Sequence, residues 1–369
     1  MHKKITVKTI TVLMFLLTFV SFAKEDESPK GDIKTEIKEY IQHHLQDSHD
    51  FSLTSYTKDN GEHVYISFPL PVILWDDGLN VFSSSKFHHG ETVAQVGDNH
   101  YKLYHNKIYK TDAEGTINYD EEHHPTNVKP LDISFTKNVA MIFLVGLLMF
   151  LLFRGLAKSY ANNNGIAKGA GRFFEPIVMY IRDDIAIPNI GEKKYRKYMP
   201  YLLTVFFFVW FINMLGLTPL GVNVTNSISV TVALALITFF ITNFTGTKDY
   251  WKHIFDPLGD SMPWIAKIPL YIILIPIEVL GMFIKPFSLL IRLYANIKAG
   301  HIVMMSLIGL MFIFKSWLGS PLSFGLAFAI SLIELLVALL QAYIFTMLSA
   351  LYFGFASEAH DHHEEAHAH

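Results

Sequence analysis

Two apolar tracts, residues 268–314 and 322–355, constrain this chain more than any other feature. The first is 47 residues long (314 − 268 + 1). As one helix it extends ~70 Å at ~1.5 Å per residue, against a hydrocarbon core of ~30 Å. A stretch of that length either turns back inside a bilayer or lies steeply oblique to it. Lys285-Pro286 is a candidate kink. The second tract, 34 residues (355 − 322 + 1), is also overlong for an upright span. Residues 315–321, rich in turn formers, separate the two. Together they predict a long, tilted two-helix hairpin.

Three shorter apolar runs precede it. The expected fold is an all-α membrane protein of about five membrane helices, near 137–157, 199–218, 227–246, 268–314 and 322–356, within a membrane domain spanning 132–358. The chain of 369 residues is 51% hydrophobic and 17% charged, and those two characters are segregated along it. Its net charge of −3 gives no basic excess, so nucleic acid is not an expected partner. It has no cysteine, which removes disulfide and thiolate chemistry.

The first 23 residues carry a basic start (His2, Lys3, Lys4, Lys8), an apolar run over 9–20 and the small-x-small triplet Ser21-Phe22-Ala23. That order predicts a cleaved secretory signal peptide. An uncleaved first membrane helix is the alternative, although the run is short of the ~20 residues a span needs. With either one, the chain beyond residue 23 is exported. Residues 24–131 are polar and are expected to form a small β-rich periplasmic element. The expected parts are an amphipathic helix over 30–46, strands over 64–75 and 100–109, and turns at Asn60-Gly61, Asp77-Gly78 and Glu114-Gly115. Histidines 63, 88, 89, 100, 105, 123 and 124 follow no ligand spacing and read as solvated, so no metal site is expected.

Loop charges give the orientation. Between the first two spans lie Lys158, Lys168, Arg172, Arg182, Lys193, Lys194, Arg196 and Lys197, whereas residues 218–226 carry no charge. The positive-inside rule puts the basic segment in the cytoplasm, the 24–131 extension outside and the C-terminus inside, in a cell inner membrane. The His-rich end, 359–369, reads as a solvated tail.

Inside the hairpin the polar residues are few and spaced. Glu278, Lys285 and Arg292 recur every seven residues and share one helix face, which Asn296 continues. Gly281, Ser288, Ala295, Ala299 and Gly300 keep that region small enough for another helix to approach closely. A guanidinium cannot shed its proton, so Arg292 at membrane depth needs an answering charge. His301 is rotated to another side, toward the second arm, which carries Glu334 and Gln341 seven apart. A carboxyl and an imidazole at that depth can exchange protons. They can equally form a polar clasp between helices.

The run from Ile291 to His301, IRLYANIKAGH, resembles the arginine motif of the a subunit (subunit 6) of F-type ATP synthase. The run from Leu340 to Ser349, the ending Ala356-Ser-Glu358, the run from Leu202 to Asn213 and Pro188-Asn-Ile-Gly191 are also similar. The resemblance covers 135–358, and the exported extension is similar to that of Bacteroidetes-type sequences.

The resemblance implies a stator, not an enzyme on its own, that passes protons to and from a rotating c-subunit ring through two half-channels. Arg292 matches the essential ring-facing arginine, and Asn296 and Gln341 match polar neighbours of it. His301 and Glu334 match the paired positions of one half-channel, with histidine on the first arm as in mitochondrial forms. Glu278 matches another acidic position of that pathway. The implied partners are the c ring, the b subunits of the peripheral stalk, lipid and protons; no cofactor is implied. Gly216 stands where some members carry an aspartate, so no channel role is expected there. A non-rotary carrier would show an internal repeat, and none is visible. An acid–base enzyme would need a nucleophile or metal set beside Glu334 and His301, and none is present.

Overall fold

The computed structural model describes residues 47–57, 63–164, 168–169, 171–218, 224–258, 264–314 and 319–357. The signal peptide, the 30–46 helix, the Asn60-Gly61 turn, Glu358 and the His-rich tail lie outside the described residues.

The described part of the extension holds eight strands: β1 (Asp50–Thr57), β2 (His63–Pro69), β3 (Pro71–Trp75), β4 (Leu79–Ser83), β5 (Val93–Val96), β6 (Asn99–Tyr104), β7 (Lys107–Thr111) and β8 (Leu131–Asp132). They form a β1–β2 pair and two three-stranded antiparallel sheets, ordered β4–β3–β8 and β5–β6–β7. Each of the two expected strands proves to be two. The 64–75 run breaks at Leu70 into β2 and β3. The 100–109 run folds into the β6–β7 hairpin, because His105 and Asn106 adopt left-handed φ of 48° and 59° and reverse the chain. Alternating residues Val72 and Leu74 on β3, with Phe82, Phe87, Ala94, Tyr101 and Ile108, make a small core.

Tyr101 is buried in that core and donates to Asp76 Oδ2 at 2.9 Å. Lys110 Nζ lies 2.8 Å from the same oxygen. Burial, then the Asp76 bond, pushes the Tyr101 phenol up to about 12. The Lys110 hydrogen bond holds the Asp76 carboxyl below the usual carboxylate range.

Among the described residues, five helices are long and apolar enough to cross a membrane. They are α1 (Lys137–Asn162), α4 (Tyr195–Gly216), α5 (Ile228–Thr245), α7 (Trp264–Phe314) and α8 (Gly319–Ser357). The sequence reading missed three short helices: α2 (Gly171–Tyr180), α3 (Ile187–Ile190), joined to α2 by a π-turn over Ile181–Ala186, and α6 (Lys248–Phe255). The residues of the proposed 315–321 break split: Gly319, Ser320 and Pro321 already belong to the first turn of α8.

The extension is fastened to the first membrane helix. Lys137 N donates to Ser48 O at 2.9 Å, and Asn138 N donates to Asp47 Oδ1 at 3.1 Å. Two of the N–H groups orphaned at the start of α1 are thus satisfied from ninety residues upstream. Buried His49 reinforces the joint through Asp132 at 2.8 Å.

The membrane core is centred on α4. Phe207, Leu202, Val205 and Ile212 of α4 pack with Met141 and Val145 of α1, Ile181 and Ile185 of the π-turn, Leu289 and Leu293 of α7, and Phe345 and Phe353 of α8. Tyr198 stacks on Phe353 at 4.7 Å between centroids. Gly354 of α8 lies so close to the Asn189 carbonyl that a Cβ there would overlap it.

Helices α7 and α8 form the expected hairpin. Lys285 faces Tyr352, Asn296 faces Gln341, Gly300 faces Glu334 and Met304 faces Ser331, an antiparallel pairing held from Lys285 to Met304. The 51 residues of α7 remain helical through Pro269, Pro276 and Pro286. At ~1.5 Å per residue the helix is ~76 Å long, more than twice a bilayer core, so it lies steeply tilted.

Candidate functional site

The seam between α7 and α8 carries the polar residues the sequence singled out. Their order along α7 divides them. His301 lies one to two turns past Asn296, toward the α7–α8 turn. Lys285 and Glu278 lie on the other side of Arg292, toward the start of α7. Glu278 therefore does not join His301 and Glu334 in one cluster. It is about 21 Å from Arg292 along the helix axis, and His301 is about 14 Å from it in the opposite direction.

Arg292 is half-buried on α7. Among the described residues no carboxylate lies within ion-pairing distance of it. Beside it, Ile291 and Ala295 are exposed, as is Asn296, so this stretch of the helix is open toward whatever borders the protein. Asn296 Nδ2 donates to Gln341 Oε1 at 3.3 Å, and Gln341 is buried. This bond is a side-chain link across the hairpin next to the cation.

On the far side of that link, His301 and Glu334 are both buried. No hydrogen bond or ion pair joins them, so the expected pair is a proximity and not a contact. The Glu334 carboxyl rests on Gly300, the residue before His301: a Cβ built there would stand 2.5 Å from Oε1. Both carboxyl oxygens are enclosed with no hydrogen-bond partner among the described residues. An ionised carboxylate so enclosed is costly, by several kcal/mol in typical cases. The site suits a group that takes up and passes on a proton.

On the near side, Lys285 Nζ sits 5.9 Å from the Tyr352 ring centroid and 5.7 Å from that of Phe355. Glu278, seven residues earlier on α7, shares its helix face. Lys285, Met282 and Tyr352 border a narrow cleft together with Thr238, Thr242 and Asn243 of α5 and Tyr250 of α6. Tyr201 and Thr238 hydroxyls are 2.6 Å apart, and Tyr250 donates to Asn243 Oδ1 at 3.1 Å. The sequence reading missed this polar stripe. Its signal is present: Thr231, Thr238 and Thr242, spaced by seven and four, fall on one face of an otherwise apolar helix. Their hydroxyls also bond back to carbonyls four residues earlier, at 3.0 Å for Thr238 and 2.7 Å for Thr242.

The near end of the bundle is tied to the basic segment. Lys194 Nζ donates to the Ser357 carbonyl, and Thr247 N donates to Ala356 O at 2.9 Å. A cation at the C-terminus of α8 meets the negative end of the helix dipole. Among the described residues no three His, Asp or Glu side chains gather as a metal site.

A bundle of apolar helices, an overlong hairpin with a cation unpaired among the described residues, and polar groups divided to either side of it define a multi-pass membrane protein with polar groups along a helix seam. The chain belongs to the ATP synthase A chain family, whose model matches residues 139–354. The chain is 45% identical over 258 residues to "ATP synthase subunit a 2" of Chlorobaculum tepidum, covering 67% of this chain and 71% of the relative. It is 44% identical over 246 residues to ATP synthase subunit a of Myxococcus xanthus, covering 65% and 78%. With "ATP synthase subunit a 2" of Prosthecochloris aestuarii the identity is 39% over 318 residues, covering 81% and 94%. A second family model, a domain of unknown function (DUF8433), matches residues 40–133, the β-rich extension. Membership makes the chain a subunit of the membrane sector of ATP synthase.

Proposed function

We propose that this chain is the proton-conducting stator of the membrane sector, working against a ring of c subunits through two half-channels separated by Arg292. One observation carries the reading: Arg292 is a permanent cation on a partly open helix face, with no carboxylate of its own chain in pairing range among the described residues. The counter-charge is then supplied from outside the chain, and a ring carboxylate is the group that fits.

The division of polar groups supports two separate paths. Positive-inside orientation assigns the basic end, with Lys194 and the start of α7, to the cytoplasm. His301 and Glu334 then serve the periplasmic path. Lys285 and Glu278, with the Thr238–Thr242–Asn243 stripe, serve the cytoplasmic one. Asn296 and Gln341 hold the two arms in register where the paths come nearest. A proton reaching Glu334 from outside passes to a ring carboxylate, whose neutral form crosses lipid at tolerable cost. On returning to Arg292 that carboxyl ionises beside the guanidinium, and its proton leaves by the Lys285 side. Moving one charge through 100 mV is worth ~2.3 kcal/mol, so a leak past Arg292 wastes the drive. The b subunits of the peripheral stalk complete the stator.

ATP-driven proton pumping in inverted membrane vesicles tests this, comparing wild type with Arg292→Ala at matched ATPase content. Pumping is expected to vanish while ATPase activity persists. Undiminished pumping in the variant would remove Arg292 from the mechanism.

A further inference from the structure

The extension presents an apolar sheet surface that its own core does not use. On β3, Val72 and Leu74 face inward, so Ile73 and Trp75 face outward. Register aligns Trp75 with Leu79 and Leu131, and Ile73 with Val81. Ile133 N donates to Ile73 O at 2.9 Å and Phe135 N to Pro71 O at 3.0 Å, so pairing with β3 continues past the end of β8. Trp75, Leu79, Val81, Leu131 and Ile133 are each 56–63% exposed. The one charged residue within that last strand segment, Asp132, points the other way, to His49. The second sheet differs: its exposed positions include Gln95 and Lys107.

This surface is continuous with the membrane-facing side of α1. Leu131, Ile133 and Phe135 alternate onto one side of the strand. The Phe135 ring lies 5.4 Å from that of Phe143, which is exposed on α1 among Leu144, Leu147 and Leu148. A hydrocarbon core needs ~20 helical residues. Counted back from Arg154, the first charge of α1 after Lys137, ~20 residues reach Ser134. The apolar strand therefore begins where the hydrocarbon ends. It stays close to the headgroup layer because residues 47–50 clamp the start of α1 to the sheet.

We infer that the outer face of the β4–β3–β8 sheet is a membrane-docking surface, which lies on the bilayer's headgroup–acyl boundary beside α1. Trp75 is at the edge of the patch in the role that tryptophan commonly takes at membrane interfaces. An exposed apolar area of this kind on a water-bathed domain otherwise invites association. Docking holds the extension flat against the lipid and keeps its polar second sheet in water.

The chain lacks cysteine, so a single introduced cysteine is the one labelling site on it, and the unsubstituted complex labelled in parallel gives the background from other proteins. Nitroxide labels on Val81→Cys and, as a second patch position, Leu79→Cys would be compared with a label on Gln95→Cys, in membranes holding the assembled complex. Collision with oxygen, which concentrates in lipid, is measured against collision with a water-soluble nickel chelate. The expected result is an oxygen-to-nickel ratio several-fold higher at positions 79 and 81 than at 95. Ratios equal to that at 95 overturn the inference, because the face is then bathed in water. Labels shielded from both reagents overturn it too, because a protein segment, from another subunit or from residues 1–46, then covers the sheet.

Discussion

The carboxyl of Glu334 rests on the bare Cα of Gly300, with Oε1 2.5 Å from where a Cβ would stand. A glycine on α7 thus decides where an acid of α8 sits, one residue from His301. The colliding atom is the end of a flexible side chain, so an added methyl moves the carboxyl without unfolding the hairpin. Gly300→Ala is expected to assemble normally. Displacing the carboxyl from its place in the proton path is expected to slow pumping about tenfold, equivalent to ~1.4 kcal/mol on the barrier. Wild-type pumping by the alanine variant would mean that the carboxyl position is not critical.

Gln341 joins α8 to Asn296 through one 3.3 Å hydrogen bond. Gln341→Leu removes it, yet Asn296 is exposed and can find another partner. The stability loss is expected to stay within ~0.5–1.5 kcal/mol, while coupled pumping falls more, because the seam beside Arg292 loses its register. Thermal dissociation of the complex and pumping rate, measured together, separate the two effects. A large drop in stability with proportionate loss of pumping would make the bond a clasp and nothing more.

Gly354 leaves no room for a Cβ against the Asn189 carbonyl. Here the obstacle is backbone, which cannot swing aside. Gly354→Ala is expected to push α8 away from α3, to strain the Lys194–Ser357 tie and to lower the amount of subunit in the membrane severalfold. Immunoblotting of membranes against a co-expressed control gives the answer, and an unchanged level would count against the close packing.

The extension should have a stability window set by Tyr101 and Asp76. The Tyr101 phenol, near 10 when unfolded, is pushed up to about 12 by burial and by Asp76. The folded state therefore holds that proton more tightly, and stability falls as pH rises from about 10 to about 12. Asp76 has the opposite sign. Its carboxyl is held low by Lys110, so its contribution is present above the ordinary carboxylate range and is lost as pH falls through the folded value. Proteolysis of the extension in intact membranes should accelerate between about pH 10 and about pH 12 in wild type. Tyr101→Phe should flatten that rise, and the same acceleration in the variant would assign it to another group.

The five spans, the hairpin and the heptad of Glu278, Lys285 and Arg292 were legible because membrane length and helical period write themselves into sequence. Arg292 was legible for the same reason: a charge amid apolar residues is visible at any resolution. The hairpin register was not. It depends on which side chains meet across two helices, and only packing assigns Lys285 to Tyr352 and Gly300 to Glu334. The threonine stripe of α5 was overlooked because a hydroxyl bonded to its own helix costs little and interrupts no apolar pattern.

Sequence alone was enough to establish that the chain crosses a membrane with a cation it must answer, since length and charge are local quantities. The three-dimensional structure settled that α7 runs unbroken through Pro269, Pro276 and Pro286, so that the order of Glu278, Arg292 and His301 becomes a separation along one axis, that Glu334 is seated by a glycine, and that the 100–109 run turns back on itself at His105. Those outcomes depend on distances between residues far apart in the chain, or on backbone angles that composition does not encode.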